Sequence, residues 1–405
     1  MHKNTFSKKL KNERIKMNKM NKKTLFIIVL TVILLSCLTV SALSESKGVD
    51  NSKKEITIAF IDALTGPAGA YGSGDLRGVE IGVAEVNEMG GIPSGPLKGY
   101  TLVLDTFDDK GDAKEAASAA RKIAVGDYLV AVGGTISTAA LASSPVFYRM
   151  RVPYIMGWAS STTLTHQGFD NLVRETYTTE AEAIYMLKYL REHLDAKKIS
   201  VIVENASYGQ QLLQTFQEEA ENNDIKLGNP LTIVPGQDVD FRDVILKAKA
   251  EEPDVLVILV ERNEGGMIVK QTRKMGWDIP FYGPKSLGEP RFFELAGELG
   301  ECYLTCSPSL DTSRPYVDNF LTRWNKVYDF TPDFAAMYGY DAVKISTKVI
   351  EMGGIDRESF IENLHKVKVE GIGNDFYEFD ERGDVKVPAL ITISGDEFKK
   401  EHGIN

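Results

Sequence analysis

The sequence predicts an α/β protein with two lobes, each built on a doubly wound parallel sheet. From residue 55 onward, short apolar runs rich in β-branched residues alternate with helical patterns, which is typical of βαβ units. The runs are apolar at nearly every position, which indicates parallel strands covered by helices on both faces. This region holds roughly 350 residues, which is more than one hydrophobic core comfortably buries, so two lobes are expected.

The individual elements follow from their local patterns. Strands are predicted where β-rich apolar runs occur, at 56–61, 101–105, 129–133, 153–156, 199–203, 231–234, 254–260 and 389–394. Helices are predicted where apolar residues recur with a helical period, at 75–89, 112–125, 138–150, 180–195, 209–222, 241–251, 264–275, 315–328, 335–351 and 357–366. Gly90 and Gly91 stop the first of these helices, and Thr179 and Asp356 are expected N-caps of later ones.

The composition narrows the classes of function. The chain has 405 residues, with 47 Lys or Arg against 57 Asp or Glu, so its net charge is −10. Because nucleic-acid binding depends on cationic contacts with phosphate, no nucleic-acid partner is expected. Three cysteines are too few for a disulfide scaffold. Cys302 and Cys306 would lie about 13 Å apart on one strand, too far for a disulfide, so small buried side chains are expected.

The first residues read as a targeting segment. Lysines, a long apolar run and small residues follow one another within residues 1–43, which is the layout of a secretory signal. Three outcomes fit this layout: cleavage after Ala42, lipidation of Cys37 after a bacterial-type lipobox, or an uncleaved anchor over 25–43. All three place the body of the protein outside the cytoplasm. Residues 44–54 then read as a polar tether.

Catalytic and metal-binding signatures are weak. The five histidines show no HExxH spacing, and the sequence lacks a GxxxxGK[ST] loop and a GxSxG elbow. The Gly133-Gly134 turn does not complete a GxGxxG fingerprint. Asp108 and Asp109 could bind a cation, but we interpret them as part of a solvated loop that caps the helix from 112. We therefore expect no metal, no cofactor and no enzyme activity.

Binding signatures are stronger and recur where strands end. Ligands of parallel α/β sheets bind at the carboxyl ends of strands, where loops meet helix N-termini. Free backbone N–H groups and hydroxyls at such N-termini suit a carboxylate. Each position alone is explained by packing or helix capping, but their joint occurrence favours a binding site. The candidate binding residues at these strand ends are polar or aromatic, apart from Ala159, which offers its backbone: Tyr71, Ser137, Thr138, Trp158, Ala159, Ser160, Tyr208, Glu261 and Lys285.

Over nearly all of residues 55–405, the sequence resembles a known family. The resemblance is carried by nine short motifs. No single motif is specific for the family, but the order and spacing of all of them together are specific. The motifs are ALTGPAGAYG, EVNEMGGI, DTFDDKGD, VGGTIST, VPYIMGWASSTTLT, NASYGQQL, DFRDVILKAKAEEPDVLVIL, PFYGPKS and YGYDAVK. The chain resembles the solute-binding proteins of ABC importers of the leucine/isoleucine/valine-binding type, which have the type I periplasmic-binding fold.

The resemblance implies two lobes joined by a three-stranded hinge, with chain crossings near residues 177, 308 and 387. The lobes then have discontinuous boundaries: residues 55–177 plus 309–387 form lobe 1, and residues 178–308 plus 388–405 form lobe 2. One small ligand is expected in the cleft, and the lobes close on it by hinge motion. The closed form is expected to dock on a membrane permease.

The resemblance also assigns roles to the strand-end residues. The ligand carboxylate is expected to bind hydroxyls and backbone N–H groups on one lobe. On this chain those positions are Ser137, Thr138, Trp158, Ala159 and Ser160. The resemblance places the aromatic walls of the pocket at Tyr71 and Tyr208.

Three residues depart from the family pattern. Lys285 stands where amino-acid binders usually have a Glu that pairs with the ligand ammonium, and Glu261 stands where relatives often have an aromatic residue. Trp158 replaces a residue that is often small. Three interpretations stay open. Glu261 takes over the ammonium, with Lys285 binding Glu261 or an acid group of the ligand; or Lys285 grips a second anionic or carbonyl group of a ligand without an α-ammonium; or Glu261 and Lys285 pair with each other at the cleft rim.

The leading hypothesis is therefore an extracytoplasmic, monomeric solute-binding protein of an ABC importer. Its ligand is amino-acid-like or a carboxylate, with an amide, a dicarboxylate or an aromatic acid as alternatives. A second hypothesis is a ligand-sensing ectodomain of the same fold that acts through a partner protein. An extracytoplasmic enzyme is a third, but it requires a catalytic constellation that the sequence does not contain. Asn205 opens a glycosylation sequon on an expected cleft loop.

Overall fold

The computed structural model describes residues 47–306, 313–386 and 390–397. Within them, two sheets of mostly parallel strands are each covered by helices, so the predicted α/β class and fold type are confirmed. The chain before residue 47, including Cys37 and the three predicted routes of processing, lies outside the described residues.

The elements are numbered here in chain order. The strands are β1 (Val49–Asp50), β2 (Glu55–Asp62), β3 (Thr101–Asp108), β4 (Ala131–Gly133), β5 (Tyr154–Met156), β6 (Leu172–Arg174), β7 (Lys198–Glu204), β8 (Lys226–Leu227), β9 (Leu231–Ile233), β10 (Val255–Leu259), β11 (Phe281–Gly283), β12 (Cys302–Cys306), β13 (Lys368–Glu370), β14 (Phe376–Glu378) and β15 (Ile391–Ser394). The helices are α1 (Gly69–Glu88), α2 (Ala113–Val125), α3 (Ser137–Arg149), α4 (Thr179–Glu192), α5 (Ser207–Glu219), α6 (Arg242–Ala250), α7 (Arg262–Lys274), α8 (Pro290–Ala296), α9 (Pro315–Val327), α10 (Phe334–Glu351) and α11 (Arg357–Leu364).

The strands of the first sheet are parallel and have the order β3-β2-β4-β5-β6. Helix α1, close to these strands in sequence, and helices α10 and α11, far from them in sequence, contribute to the same hydrophobic core. Phe60, Val132 and Ile155 are fully buried against Val343 and other residues of α10. Helices α1 and α10 approach each other closely, because a Cβ at Gly78 would overlap the carbonyl oxygen of Ala336. The glycines of α1 therefore serve helix packing, although glycine usually weakens a helix.

The second sheet has the order β15-β12-β11-β10-β7, with β8 and β9 both pairing with β7. All of its pairs are parallel except β12–β15, which is antiparallel. Its central strands β7 and β10 are buried along almost their whole length, as expected for strands covered on both faces. Cys302 is buried beside Leu299 and Leu304 in the same hydrophobic cluster.

The structure corrects the predicted tether at 44–54. Of that segment, residues 47–54 pack on the first sheet, where β1 pairs antiparallel with β2. The amide of Thr57 donates a hydrogen bond to the carbonyl oxygen of Gly48 (2.8 Å), and Val49 packs against the adjoining core. The polar composition of this segment concealed a strand because most of its side chains face water.

Other predictions were wrong at element boundaries. Helix α1 begins at Gly69, six residues before the predicted start, so Tyr71 belongs to the helix and not to a loop. Helix α8 and strands β6, β8, β11, β12, β13 and β14 were not predicted; all of these strands except β12 have only two or three residues. Asp356 caps α11 as predicted, whereas Thr178 rather than Thr179 caps α4, and Asp112, predicted as the first residue of its helix, is the N-cap of α2.

The chain passes from β6 of the first sheet to α4 of the second through residues 175–178. The other two predicted crossings, near residues 308 and 387, lie in the segments 307–312 and 387–389, which are outside the described residues. The discontinuous lobe boundaries therefore stay a prediction. The name lobe 1 is used below for the parts around the first sheet, and lobe 2 for those around the second.

A buried arginine stabilises this connection. Arg174 has no exposed side-chain surface, and its guanidinium donates hydrogen bonds to the carbonyl oxygen of Ser161 (2.5 Å) and the hydroxyl of Thr165 (2.8 Å). It also pairs with the carboxylate of Asp384, which is 15% exposed. Burial lowers the pKa of Arg174, and the Asp384 carboxylate offsets this effect.

Replacing the partner of this arginine should be strongly destabilising. The substitution Asp384→Ala leaves a buried guanidinium without its counter-charge, so the free energy of unfolding should fall by about 3–5 kcal/mol. Urea unfolding of the two proteins measures this difference. Asp278→Ala is the matched control, because its carboxylate is 92% exposed beside Arg273 and should contribute only about 0–1 kcal/mol. Equal losses in the two variants would contradict the role given to Asp384.

Candidate functional site

A cavity of about 200 Å³ lies between the two lobes at the carboxyl ends of their strands. Lobe 1 lines it with the loops after β2 and β3 and the start of α1 and α3, and lobe 2 with the segments after β7, β9 and β10. This is where ligands bind in parallel α/β sheets. The lining residues are Pro67, Ala68, Tyr71, Lys110, Gly111, Ile136, Ser137, Thr138, Glu204, Ala206, Tyr208, Pro235, Glu261, Asn263 and Glu264.

The wall on lobe 1 is the N-terminus of α3. Ser137 and Thr138 are its first residues, and the preceding loop is fixed by Asp62, which accepts hydrogen bonds from the amide (3.1 Å) and hydroxyl (2.6 Å) of Thr135. Ser137 Oγ accepts a hydrogen bond from the amide of Ser161 (3.2 Å). Helix N-termini carry unpaired N–H groups and a partial positive charge, so this wall suits a carboxylate.

The wall on lobe 2 is acidic. Glu204 ends β7, and Glu261 and Glu264 flank the first residues of α7. Glu204 is 1% exposed and accepts a hydrogen bond from the amide of Glu261 (3.1 Å), while Glu264 accepts one from the amide of Gly236 (2.9 Å). Burial raises the pKa of Glu204 well above its usual range, and the neighbouring Glu261 raises it further. A cation between these carboxylates would relieve that repulsion.

Two tyrosines complete the cavity. The hydroxyl of Tyr71 donates a hydrogen bond across the cleft to Glu261 Oε2 (2.7 Å), and the Arg262 guanidinium lies 3.4 Å from the centre of the Tyr71 ring. The hydroxyl of Tyr208 donates to Glu182 Oε2 (3.1 Å). Burial raises the pKa of both tyrosines well above the usual value, so each remains a neutral hydrogen-bond donor with an apolar ring.

Trp158, Ala159 and Ser160 follow β5 and are buried, but they do not line this cavity. The Trp158 ring stacks on Phe334, with 5.6 Å between ring centroids. The amide of Ala159 donates to the Gly134 carbonyl (3.0 Å), and the Ser160 carbonyl accepts from the amide of Thr179 (2.7 Å). These contacts brace the loop beside α3, and direct contact of the three residues with a ligand stays a prediction.

Lys285 also lies outside the cavity lining, although it is buried in the contact between the lobes. Its Nζ donates hydrogen bonds to the carbonyl oxygen of Trp158 (3.0 Å) and the hydroxyl of Thr176 (2.8 Å). Burial lowers the pKa of this amine to about 7, and the carboxylate of Glu182 offsets part of that shift. The interpretation of Glu261 and Lys285 as an exposed rim pair is wrong, because Lys285 is buried and Glu261 is hydrogen-bonded to Tyr71 instead.

The cavity thus brings together five of the predicted residues: Tyr71, Ser137, Thr138, Tyr208 and Glu261. Sequence reasoning did not assign Glu204, Glu264, Lys110 or Asn263 to the site. Glu204 carried a usable signal, because it ends the buried strand β7 much as Glu261 comes just after the end of β10.

The described ranges contain neither a candidate metal-binding cluster nor a candidate membrane-spanning helix. No group of three or more His, Cys, Asp or Glu side chains there is arranged to hold a metal ion. No helix in those ranges is long and apolar enough to cross a membrane.

Comparison with known proteins gives consistent results. Residues 55–392 match the family model described as periplasmic binding protein. The chain is 27% identical over 348 residues to Leu/Ile/Val-binding protein homolog 3 of Brucella melitensis, covering 85% of this chain and 92% of that protein.

Solved structures show the same fold. The branched-chain amino acid transporter substrate-binding protein LivJ of Streptococcus pneumoniae, in complex with isoleucine, superimposes with a TM-score of 0.77 at 26% identity, covering 85% of this chain and 97% of that chain. A solute-binding protein of an ABC transporter from R. palustris, in complex with benzoate, has a TM-score of 0.74 at 16% identity, covering 83% of this chain and 92% of that chain. The second likeness shows the fold alone. The resemblance predicted from sequence motifs is confirmed, and the chain belongs to the periplasmic binding protein family, whose members are extracytoplasmic solute-binding proteins.

Proposed function

We propose that this protein captures a small α-amino acid between its two lobes for an ABC importer. The observation that carries the proposal is the polarity of the cavity. One wall is the N-terminus of α3 with Ser137 and Thr138, and the opposite wall holds Glu204 and Glu261. A zwitterion presents a carboxylate and an ammonium group in opposite directions, so it complements both walls at once.

The ammonium group of the solute is assigned to Glu261. Its Oε2 is fixed by the Tyr71 hydroxyl, and its backbone amide is fixed by Glu204, so the carboxylate is held in place before a solute binds. Lys285 does not line this cavity, and its amine donates hydrogen bonds to Trp158 and Thr176 rather than to Glu261. Of the interpretations left open by the sequence, this supports the one in which Glu261 takes the ammonium role.

The same wall argues against anionic alternatives. A dicarboxylate or an aromatic acid would place negative charge or an uncharged ring beside Glu204, Glu261 and Glu264 without supplying a counter-charge. An amide could donate hydrogen bonds to these carboxylates, but it would leave the α3 N-terminus without an anion. The LivJ complex with isoleucine supports an amino acid, although the fold itself also accommodates benzoate in another relative.

We further propose that the closed, solute-loaded protein is delivered to the membrane permease of the importer. LivJ is named as a transporter substrate-binding protein and the Brucella relative as a Leu/Ile/Val-binding protein homolog, and no catalytic residues are needed for this role. Residues 1–43 would direct export, with Cys37 as the lipid-bearing residue if the lipobox is used. The protein is proposed to act as a monomer.

A thermal-shift comparison of amino acids with their 2-oxo analogues tests the solute class. We expect at least one amino acid, with leucine, isoleucine and valine tried first, to raise the melting temperature by mass action. The matching 2-oxo acid, such as 4-methyl-2-oxopentanoate for leucine, should not, because it lacks the group that pairs with Glu261. Equal stabilisation by both members of a pair would contradict the assigned role of the acidic wall.

The substitution Glu261→Gln tests the residue directly. It preserves shape but removes the charge that faces the ammonium group, so the affinity for the stabilising amino acid should fall at least about tenfold, or 1.4 kcal/mol. Isothermal titration calorimetry measures this change. Glu298→Gln, at an exposed position of lobe 2, is the matched control and should bind normally. Unchanged affinity in the Glu261 variant would place the ammonium elsewhere.

A further inference from the structure

A lysine of lobe 2 is buried against lobe 1 outside the solute cavity. Lys285 follows β11 and is 1% exposed, yet both acceptors of its amine lie beyond lobe 2. One is the carbonyl oxygen of Trp158, in the loop after β5 of lobe 1. The other is the hydroxyl of Thr176, in the segment that connects β6 to α4. The amine therefore bridges the two halves of the molecule.

The surroundings of this amine are those of a binding site for an organic ammonium ion. Its Nζ lies 4.2 Å from the centre of the Trp158 ring and 4.8 Å from the centre of the Tyr177 ring. Aromatic faces at such distances attract a cation through their quadrupole, and more strongly when water is excluded. Two oxygen acceptors and two aromatic faces together make a cage, defined by Trp158, Thr176 and Tyr177.

No carboxylate of the described residues forms an ion pair with Lys285. The charged groups nearest to it are Glu182 on α4, Glu261 after β10 and Arg174 on β6, and burial outweighs the two carboxylates in lowering the pKa of the amine. Glu182 is engaged elsewhere, accepting hydrogen bonds from the backbone amide of Lys285 (2.7 Å) and from the Tyr208 hydroxyl. The cage thus holds the amine through rings and neutral acceptors.

We propose that, when the lobes are closed, the amine of Lys285 fills a lobe-bridging ammonium site. The Trp158 carbonyl is then not open to the ammonium group of a solute. The filled cage also contributes a contact between the closed lobes that the solute does not make. The cage lies outside the solute cavity, so its filling does not depend on which solute binds, whereas the direction of a solute ammonium group to Glu261 rests on the proposed function.

The test is chemical rescue of Lys285→Ala. The substitution removes three carbons and the amine, which n-propylammonium replaces. We expect the melting temperature of the variant to lie below that of the wild type and to rise saturably when n-propylammonium chloride is titrated to about 100 mM. The wild type, with its cage filled, should not respond beyond the effect of equal sodium chloride.

Two controls separate the cage from general effects. 1-Propanol has the same size without the charge and should restore little or none of the lost stability. Lys270→Ala removes an exposed lysine of lobe 2 and should show no response to n-propylammonium. Because no amino acid is used, failure of this test is independent of the solute assignment. A folded Lys285→Ala variant that does not respond to n-propylammonium, or responds equally to 1-propanol, would overturn the proposal.

If the Lys285→Ala variant is too unstable to be purified in the folded state, the refolding yield replaces the melting temperature. Refolding with n-propylammonium should recover soluble variant, whereas refolding with 1-propanol should not. A second variant, Lys285→Ala with Thr176→Val, removes one oxygen acceptor and should respond at least several-fold more weakly to the same ammonium concentration. No selective recovery, or an equal response of the double variant, would contradict the cage.

Discussion

The removal of charged groups from water where the two lobes meet governs the chemistry of the cleft. Burying an ionised group is costly unless another charge or a set of hydrogen bonds compensates it. Three buried cations at or beside this contact meet the requirement differently. Arg174 pairs with Asp384, Arg262 with Glu289, and the amine of Lys285 lies between two acceptors and two rings. The protein compensates the negative charge of the acidic wall only partly, and a solute ammonium group would complete this compensation.

The fold explains why these groups converge. In both lobes the carboxyl ends of parallel strands face the cleft, so residues far apart in sequence meet there. Tyr71 and Glu261, separated by 190 positions, are joined by one hydrogen bond of 2.7 Å. The same arrangement sets the α3 N-terminus of lobe 1 against the glutamates of lobe 2. The two walls of the cavity therefore have opposite polarity because the topology brings a few strand-end residues of both lobes to the same cleft.

Much of this could be predicted from the sequence, because strand-end position is a sequence property. Ser137, Tyr208 and Glu261 each come within five residues of the end of an apolar run, and all three line the cavity. The start of α1 could not be predicted in the same way. Its glycines resemble a loop, and the tight contacts that require them, of Gly72 with the backbone of Ala63 and of Gly74 with Asp333, are visible only in the structure.

Side-chain direction was the other limit of sequence reasoning. Lys285 follows a strand as Glu261 does, but its long side chain extends away from the cavity into the cage beside Trp158. A strand-end pattern gives the position of Cα and not the path of a flexible side chain. For the same reason, the sequence alone could not decide whether Glu261 and Lys285 pair with each other.

The most direct measurement is a crystal structure of the complex with a bound α-amino acid. The account predicts that the solute ammonium lies within hydrogen-bond distance of the Glu261 carboxylate, that the solute carboxylate meets Ser137 and Thr138, and that Lys285 still contacts Trp158. A solute ammonium bound to the Trp158 carbonyl, with the Lys285 side chain displaced, would contradict it.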